Sequence, residues 1–239
     1  MSQELIILLI TAGSLGFMHT LFGPDHYLPF IVMAKAKKWS PMKTAWVTFL
    51  CGLGHVGSSV VIGTVGIVFG VALLKLQALE AFRGNIAGWL LFGFGLAYFI
   101  YGLRKTWKNR PHKHPHVHED GSIHEHVHTH VIQHAHIHIE KEENTANFTP
   151  WMLFIIFVFG PCEVLIPLVM YPVAQASWFA MMLIVGTFSL VTVATMLAIV
   201  MLGTYGIKAV RFPFLEKHSE AVAGFSIMLC GMAIQFLGL

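Results

Sequence analysis

Six long apolar runs constrain this chain more than any other feature. A helix needs about 20 predominantly apolar residues to cross the hydrocarbon core of a bilayer. The runs Leu5–Ala34, Thr44–Leu74, Ile86–Leu103, Trp151–Tyr171, Trp178–Thr204 and Ala221–Leu239 meet or approach that length. They predict an all-α polytopic membrane protein with six transmembrane helices. The second and fifth runs are longer than needed, so tilted or glycine-bent helices are expected. Composition agrees: charged residues are 11% of the 239 and hydrophobic ones 56%, whereas a soluble domain carries about 25% charged residues. A soluble enzyme is excluded on this ground. The formal net charge of +3 carries no implication of nucleic-acid binding. Cys51, Cys162 and Cys230 each lie in an apolar run, which argues against a secreted disulfide framework. No basic segment precedes the first run and no small-residue cleavage site follows it, so no cleavable signal peptide is expected.

Lysine and arginine set the expected orientation. Loop one carries Lys35, Lys37, Lys38 and Lys43, loop three Arg104, Lys105, Lys108, Arg110 and Lys113, and loop five Lys208, Arg211 and Lys217. Loop two is read as holding only Lys75 and Arg83, and loop four, around Tyr171–Ser177, has no charge. The odd loops are therefore expected in the cytoplasm, with both termini outside, in a multi-pass protein of the cell inner membrane.

The two halves look alike. The first run contains Phe22-Gly23-Pro24-Asp25-His26-Tyr27-Leu28-Pro29, and the fourth contains Phe159-Gly160-Pro161-Cys162-Glu163-Val164-Leu165-Ile166-Pro167. Each reads Phe-Gly-Pro, two polar or metal-binding residues, a short apolar step and a second proline. Proline removes an amide donor and disrupts the turn before it, so each motif predicts a broken helix. Membranes tolerate such breaks where protein or a water cavity satisfies the freed backbone. Paired breaks at matching points of two halves mark a transporter's midplane site; a single Gly-Pro pair would read as a packing kink. Because a three-span unit has an odd number of crossings, its repeat is inverted. The expected organisation is a three-helix unit over residues 1–104, a cytoplasmic His-rich loop over 105–148 and a second three-helix unit over 149–239.

Within the first run, His19 precedes His26 by seven residues, close to two helical turns, so the two share a face if the break is mild. Asp25 at a helix centre costs about 2.5–3.5 kcal/mol to insert, and none of the six runs contains a Lys or Arg to offset it. A bound cation is the natural partner. His55 stands among Gly52, Gly54 and Gly57, which allow close helix approach; alone it reads as an interhelical hydrogen-bonding histidine. Cys162, alone a small buried residue, and Glu163 add a thiol and a carboxylate. Imidazoles with one carboxylate suit nickel, cobalt, zinc or iron better than magnesium or calcium.

Between Pro111 and Glu140 lie His112, His114, His116, His118, His124, His126, His128, His130, His134, His136 and His138, all at even positions. Val117, Ile123, Val127, Val131, Ala135, Ile137 and Ile139 occupy odd ones. Period-two alternation is a strand signal, and Glu119-Asp120-Gly121-Ser122 supplies turn chemistry, so a β-hairpin or meander with imidazoles on one face is expected. Such tracts bind divalent metals. The pattern fits several weak, exchangeable sites, and does not choose between buffering, sensing and delivery.

At these residues a family resemblance becomes specific. His19-Thr20-Leu21-Phe22-Gly23-Pro24-Asp25-His26, Gly54-His55-Val56-Gly57-Ser58-Ser59, the His-rich loop and Phe159–Pro167 together resemble the NicO-type nickel/cobalt transporters, in the branch of the UreH-like membrane proteins. The resemblance runs over essentially the whole chain. It implies transport of Ni2+ or Co2+, with His19, Asp25 and His26 as the entry or binding element, and His55, Pro161 and Cys162 at the matching second-span and Pro-Cys positions. The step from His19 to the Asp25-His26 pair is one residue longer than in the related permeases. The fold is also similar to that of membrane thiol–disulfide reductant carriers, but Asp25-His26 stands where their first cysteine falls. No His-Glu-x-x-His occurs, against a zinc protease. The cytoplasmic loop leaves room for hand-over of metal to an accessory protein of a cytoplasmic metalloenzyme. No ATP-binding motif is present, so transport is expected to be secondary or facilitated, or to rely on a partner.

Overall fold

In the computed structural model the described residues are 3–108, 112–117, 123–128, 148–162, 164–168, 177–209, 216 and 218–237. Among the described residues, five helices are long and apolar enough to cross a membrane: α1 (Gln3–Phe22), α3 (Pro41–Val68), α4 (Leu73–Lys108), α6 (Trp178–Ala209) and α7 (Ser219–Leu237). Shorter helices also occur there, α2 (Leu28–Ala36) and α5 (Phe148–Phe159). This is the architecture of a helical membrane protein. Leu190, Leu202 and Phe236 stand on its outside, each more than 70% exposed, as lipid-facing side chains do.

Local chemistry explains where the helices stop. α1 ends at Phe22, the residue before Gly23-Pro24; Gly23 is extended (φ −90°, ψ 91°) and Pro24–His26 form one 3-10 turn before α2 resumes. Pro24 has no N–H to continue the ladder. The second break falls at Gly160-Pro161, where the Gly160 N–H reaches both the Ile156 and the Phe157 carbonyls at 3.0 Å; a helical turn follows at 165–168. α3 starts on Ser40, whose Oγ accepts from the Lys43 N–H at 3.2 Å with Pro41 in the first turn, a standard N-terminal cap.

α4 corrects the sequence reading. It begins at Leu73, so Lys75 and Arg83, assigned above to loop two, are helical. Arg83 therefore lies inside a span, where no Lys or Arg was expected, and it is only 8% exposed beside the fully buried Glu80. Hydropathy counts each charge as a cost and is blind to the pairing that makes both tolerable inside the protein.

Two packing units position the interior. α4 and α7 touch backbone to backbone: a Cβ on Gly95 would fall on the Met228 main chain, one on Gly102 on Ala221, and one on Gly224 on Phe99. Small residues permit such approach between membrane helices. At one end of this pair the Lys105 ammonium meets the Glu220 carboxylate at 3.0 Å. Against it, α1 packs on α6, α3 on both α5 and α6, and α2 on α6 and α7. Phe30 and Met33 of α2, Leu91 of α4, Leu153 and Phe157 of α5, Met196 of α6 and Ile227 of α7 make the core between them.

Between α4 and α5, β1 (His112–Val117) pairs antiparallel with β2 (Ile123–His128). The register sets His112 opposite His128, His114 opposite His126 and His116 opposite His124. Expectations for Glu163, His118, His130, His134, His136 and His138 fall outside the described residues.

Candidate metal centre

Both helix breaks deliver their polar residues to one place. The 3-10 turn carries Asp25 and His26 inward, α1 presents His19 one turn before its end, α3 presents His55 at mid-helix, and the Gly160-Pro161 break leads to Cys162. His26, His55 and Cys162 are buried, while His19 and Asp25 are half-buried. The His19 and His26 rings meet edge-on with centroids 4.6 Å apart, His26 and His55 at 4.9 Å, and His19 lies parallel to His55 at 6.0 Å. A cavity of about 470 Å³ opens beside them, lined by His19, Asp25, His26, His55, Gly160 and Pro161 together with apolar Leu15, Met18, Leu91 and Phe157.

The motif glycines make room for the rings. A Cβ on Gly23 would stand 2.5 Å from His26 Nδ1 and 2.9 Å from Asp25 Oδ1, and a Cβ on Gly160 would stand 2.9 Å from His55 Nδ1. Each glycine thus seats a histidine ring. The three α3 glycines differ. Gly52 faces Met196 and Val193 of α6, Gly54 faces Val158 and Phe154 of α5, and a Cβ on Gly57 would meet nothing within 4 Å among the described residues.

Donor atoms converge. One ligand atom each from His19, His55 and Cys162 lie within 4.8 Å of one another; His26 stands beside this group, its Nε2 3.3 Å from His55 Nε2. Cys162 Sγ is 3.9 Å from His19 Nε2. Two nitrogens each ~2.05 Å from one tetrahedral ion are roughly 3.3 Å apart, and a sulfur and a nitrogen on such an ion roughly 3.6 Å. The imidazole pair already has the edge length that one shared ion would impose, and the thiol is a few tenths of an ångström further out.

The tautomers sharpen this. His26 Nδ1 faces two oxygens, Gly23 O at 3.2 Å and Asp25 Oδ1 at 3.1 Å, so its proton belongs there and its Nε2 carries a lone pair. His55 Nδ1 lies on the other side of its ring, near Gly160. The Nε2–Nε2 distance of 3.3 Å suits either one shared proton or one shared cation between the two rings.

Asp25, expected among the ligands, is turned on to the far nitrogen of His26. A carboxylate there fixes the ring's tautomer and orientation and raises its basicity as a ligand. Glu163 lies outside the described residues. The strand histidines 112, 114, 116, 124, 126 and 128 belong to the separate β1–β2 pair. The hydroxylated stretch of α6 is turned on its own helix at Thr187 and Ser189, which donate to Leu183 O and Val185 O; Thr192 Oγ1 is buried with no hydrogen-bond partner among the described residues.

Two residues of the neighbourhood escaped the sequence reading. Glu80 and Arg83 of α4 form an ion pair beside the second break. The signal was present as an acidic and a basic residue three apart, neighbours on one helix face, but it was hidden by treating 75–85 as a loop. No protein-family model, curated protein or solved structure matches this chain.

Proposed function

We propose that this chain carries a divalent transition-metal ion, nickel or cobalt, across the cell inner membrane, with His19, His26, His55 and Cys162 as its successive or joint ligands. The observation that carries the reading is the 3.3 Å approach of the His26 and His55 Nε2 atoms at the meeting point of two broken helices. Backbone breaks and ionisable side chains are costly in lipid and mark ion pathways where they occur. Imidazoles with a single thiol fit the borderline divalent metals, zinc and iron included; nickel and cobalt come from the family resemblance. A dithiol carrier would need a second thiol in the cluster, and the close-donor group among the described residues has one.

A 3+3 inverted repeat of six spans fits the packing. Exchanging the first half's elements for their counterparts turns the α1–α6 contact into the α5–α3 contact and leaves α3–α6 and α4–α7 unchanged. In this reading α5 and the turn at 165–168 belong to the fourth span, as α1 and α2 make the first. The basic loops face the cytoplasm and both termini face out. The histidine segment is a cytoplasmic reservoir that holds metal weakly for exchange with the pathway or with a metalloenzyme accessory protein, and the β1–β2 register that sets His opposite His three times supports this.

Radioactive nickel and cobalt uptake by cells with and without the gene tests the transport reading, and equal accumulation in both contradicts it. A reporter fused after Leu239 tests the orientation; cytoplasmic activity overturns it.

A further inference from the structure

The break at Gly160-Pro161 leaves two backbone groups without helical partners. In a continuing helix the Cys162 N–H would donate to the Val158 carbonyl. Here the two are parted, and each is taken by one member of the buried ion pair. Arg83 donates through an Nη atom to Val158 O at 2.7 Å. The Cys162 N–H donates to Glu80 Oε2 at 3.0 Å and to Ser59 Oγ at 3.2 Å. Arg83 and Glu80 are bonded to each other, and Ser59 O–H donates to Glu80 Oε2 at 2.9 Å. Arg83 also donates to Ser58 Oγ at 2.7 Å, and Ser58 in turn donates to the His55 carbonyl at 2.9 Å. Gly84, next in α4, leaves the space into which Pro161 packs: a Cβ there would stand 2.7 Å from Pro161 Cγ.

We infer that Glu80 and Arg83 are positioning residues for the metal centre: the ion pair holds the 158–162 turn open and thereby aims Cys162 Sγ at His19 and His55. Neither side chain lines the cavity, so both act through the turn they bind. Charge suits the task, because a freed carbonyl and a freed amide in a water-poor interior need one donor and one acceptor, and hydrogen bonds to ionised groups are about twice as strong as neutral ones. A charged pair beside the break also stays tolerable in the membrane only while both of its members are satisfied.

The inference rests on the proposed metal site, and cobalt spectroscopy of the purified full-length chain in detergent separates the two. Cobalt bound by imidazole and thiolate shows d–d bands together with a thiolate-to-metal charge-transfer band. The variants are Glu80→Gln, which keeps the shape and an acceptor oxygen, and Ser59→Ala, which keeps both charges and removes one acceptor of the Cys162 N–H together with the hydroxyl's bonds to Glu80 and Arg83. Monodispersity by gel filtration confirms that each is folded. Glu80→Gln is expected to keep the d–d bands, lose the charge-transfer band as Cys162→Ala does, and bind cobalt about 10- to 100-fold more weakly, the usual cost of removing an outer-shell partner. Ser59→Ala is expected to weaken the same band in part. A wild-type charge-transfer band in both variants at equal cobalt occupancy overturns the positioning role and leaves the metal site standing. Failure of the unmodified chain to bind cobalt, or binding without the charge-transfer band, overturns the metal-site reading and this inference with it.

Discussion

The Nε2 atoms of His26 and His55 stand 3.3 Å apart although they are 29 residues apart in sequence. The first sits on a 3-10 turn in the middle of a broken helix and the second on an unbroken one. Asp25 meets the other ring nitrogen of His26 at 3.1 Å, so in the proposed site its charge would act through His26 and not on the ion directly. Asp25→Asn is expected to weaken metal binding about 10- to 100-fold and to leave insertion intact or improved, since a carboxylate at this depth costs about 2.5–3.5 kcal/mol. Equilibrium dialysis of nickel against the purified variant checks this. Unchanged affinity would make the Asp25–His26 contact incidental.

The two motif glycines make a paired prediction. Gly23→Ala and Gly160→Ala each place a methyl group within 3 Å of a histidine Nδ1, which displaces the ring and not the fold. Both variants are expected to purify as monodisperse protein with metal affinity lowered at least about tenfold, each 1.4 kcal/mol of lost ligand alignment being a factor of ten. Wild-type affinity in either would show that its ring can move without consequence.

The α4–α7 contact predicts a different failure. Gly95 leaves no space for any side chain, because a Cβ would overlap the Met228 main chain. Gly95→Val is expected to destabilise the protein by about 3 kcal/mol or more, at or beyond the upper end of ordinary overpacking. Denaturant titration in detergent, followed by tryptophan fluorescence, measures the effect. A shift within the error of the transition would mean the helices separate freely.

Removal of residues 112–138 separates reservoir from pathway. If the histidine loop only gathers metal, its deletion lowers uptake at scarce metal and leaves the maximal rate within about twofold; a 1 kcal/mol change in a rate-limiting barrier would already exceed that. Complete loss of uptake with an inserted, folded protein would move the working site from the membrane to the loop.

Much of this was legible in the sequence, for local reasons. The breaks at Gly23-Pro24 and Gly160-Pro161 follow from the missing proline amide, and the seven-residue step from His19 to His26 survives as a ring contact because the intervening 3-10 turn is short. The unread parts were relations between segments. Nothing in the first run says that Asp25 turns on to His26 Nδ1 instead of into the cluster. The start of α4 is hard to read because Lys75, Glu80 and Arg83 depress local hydropathy, whereas burial of Glu80 against Arg83 depends on Ser58, Ser59 and Cys162 from other elements. Pairing of that kind is a tertiary fact. Glycine pairs such as Gly95 and Gly224 were likewise visible as residues but not as partners.

The most direct test of the central claim is radioactive nickel flux into liposomes containing the purified chain, compared with His26→Ala and His55→Ala at equal protein incorporation. The account predicts time-dependent, saturable accumulation with the unmodified protein and loss of it in both variants, because each removes one of the two facing Nε2 atoms and about 3–4 kcal/mol of lost ion stabilisation already slows flux 100- to 1,000-fold. Flux in His26→Ala and His55→Ala equal to that of the unmodified protein would contradict it, and would leave the histidine pair as packing between helices.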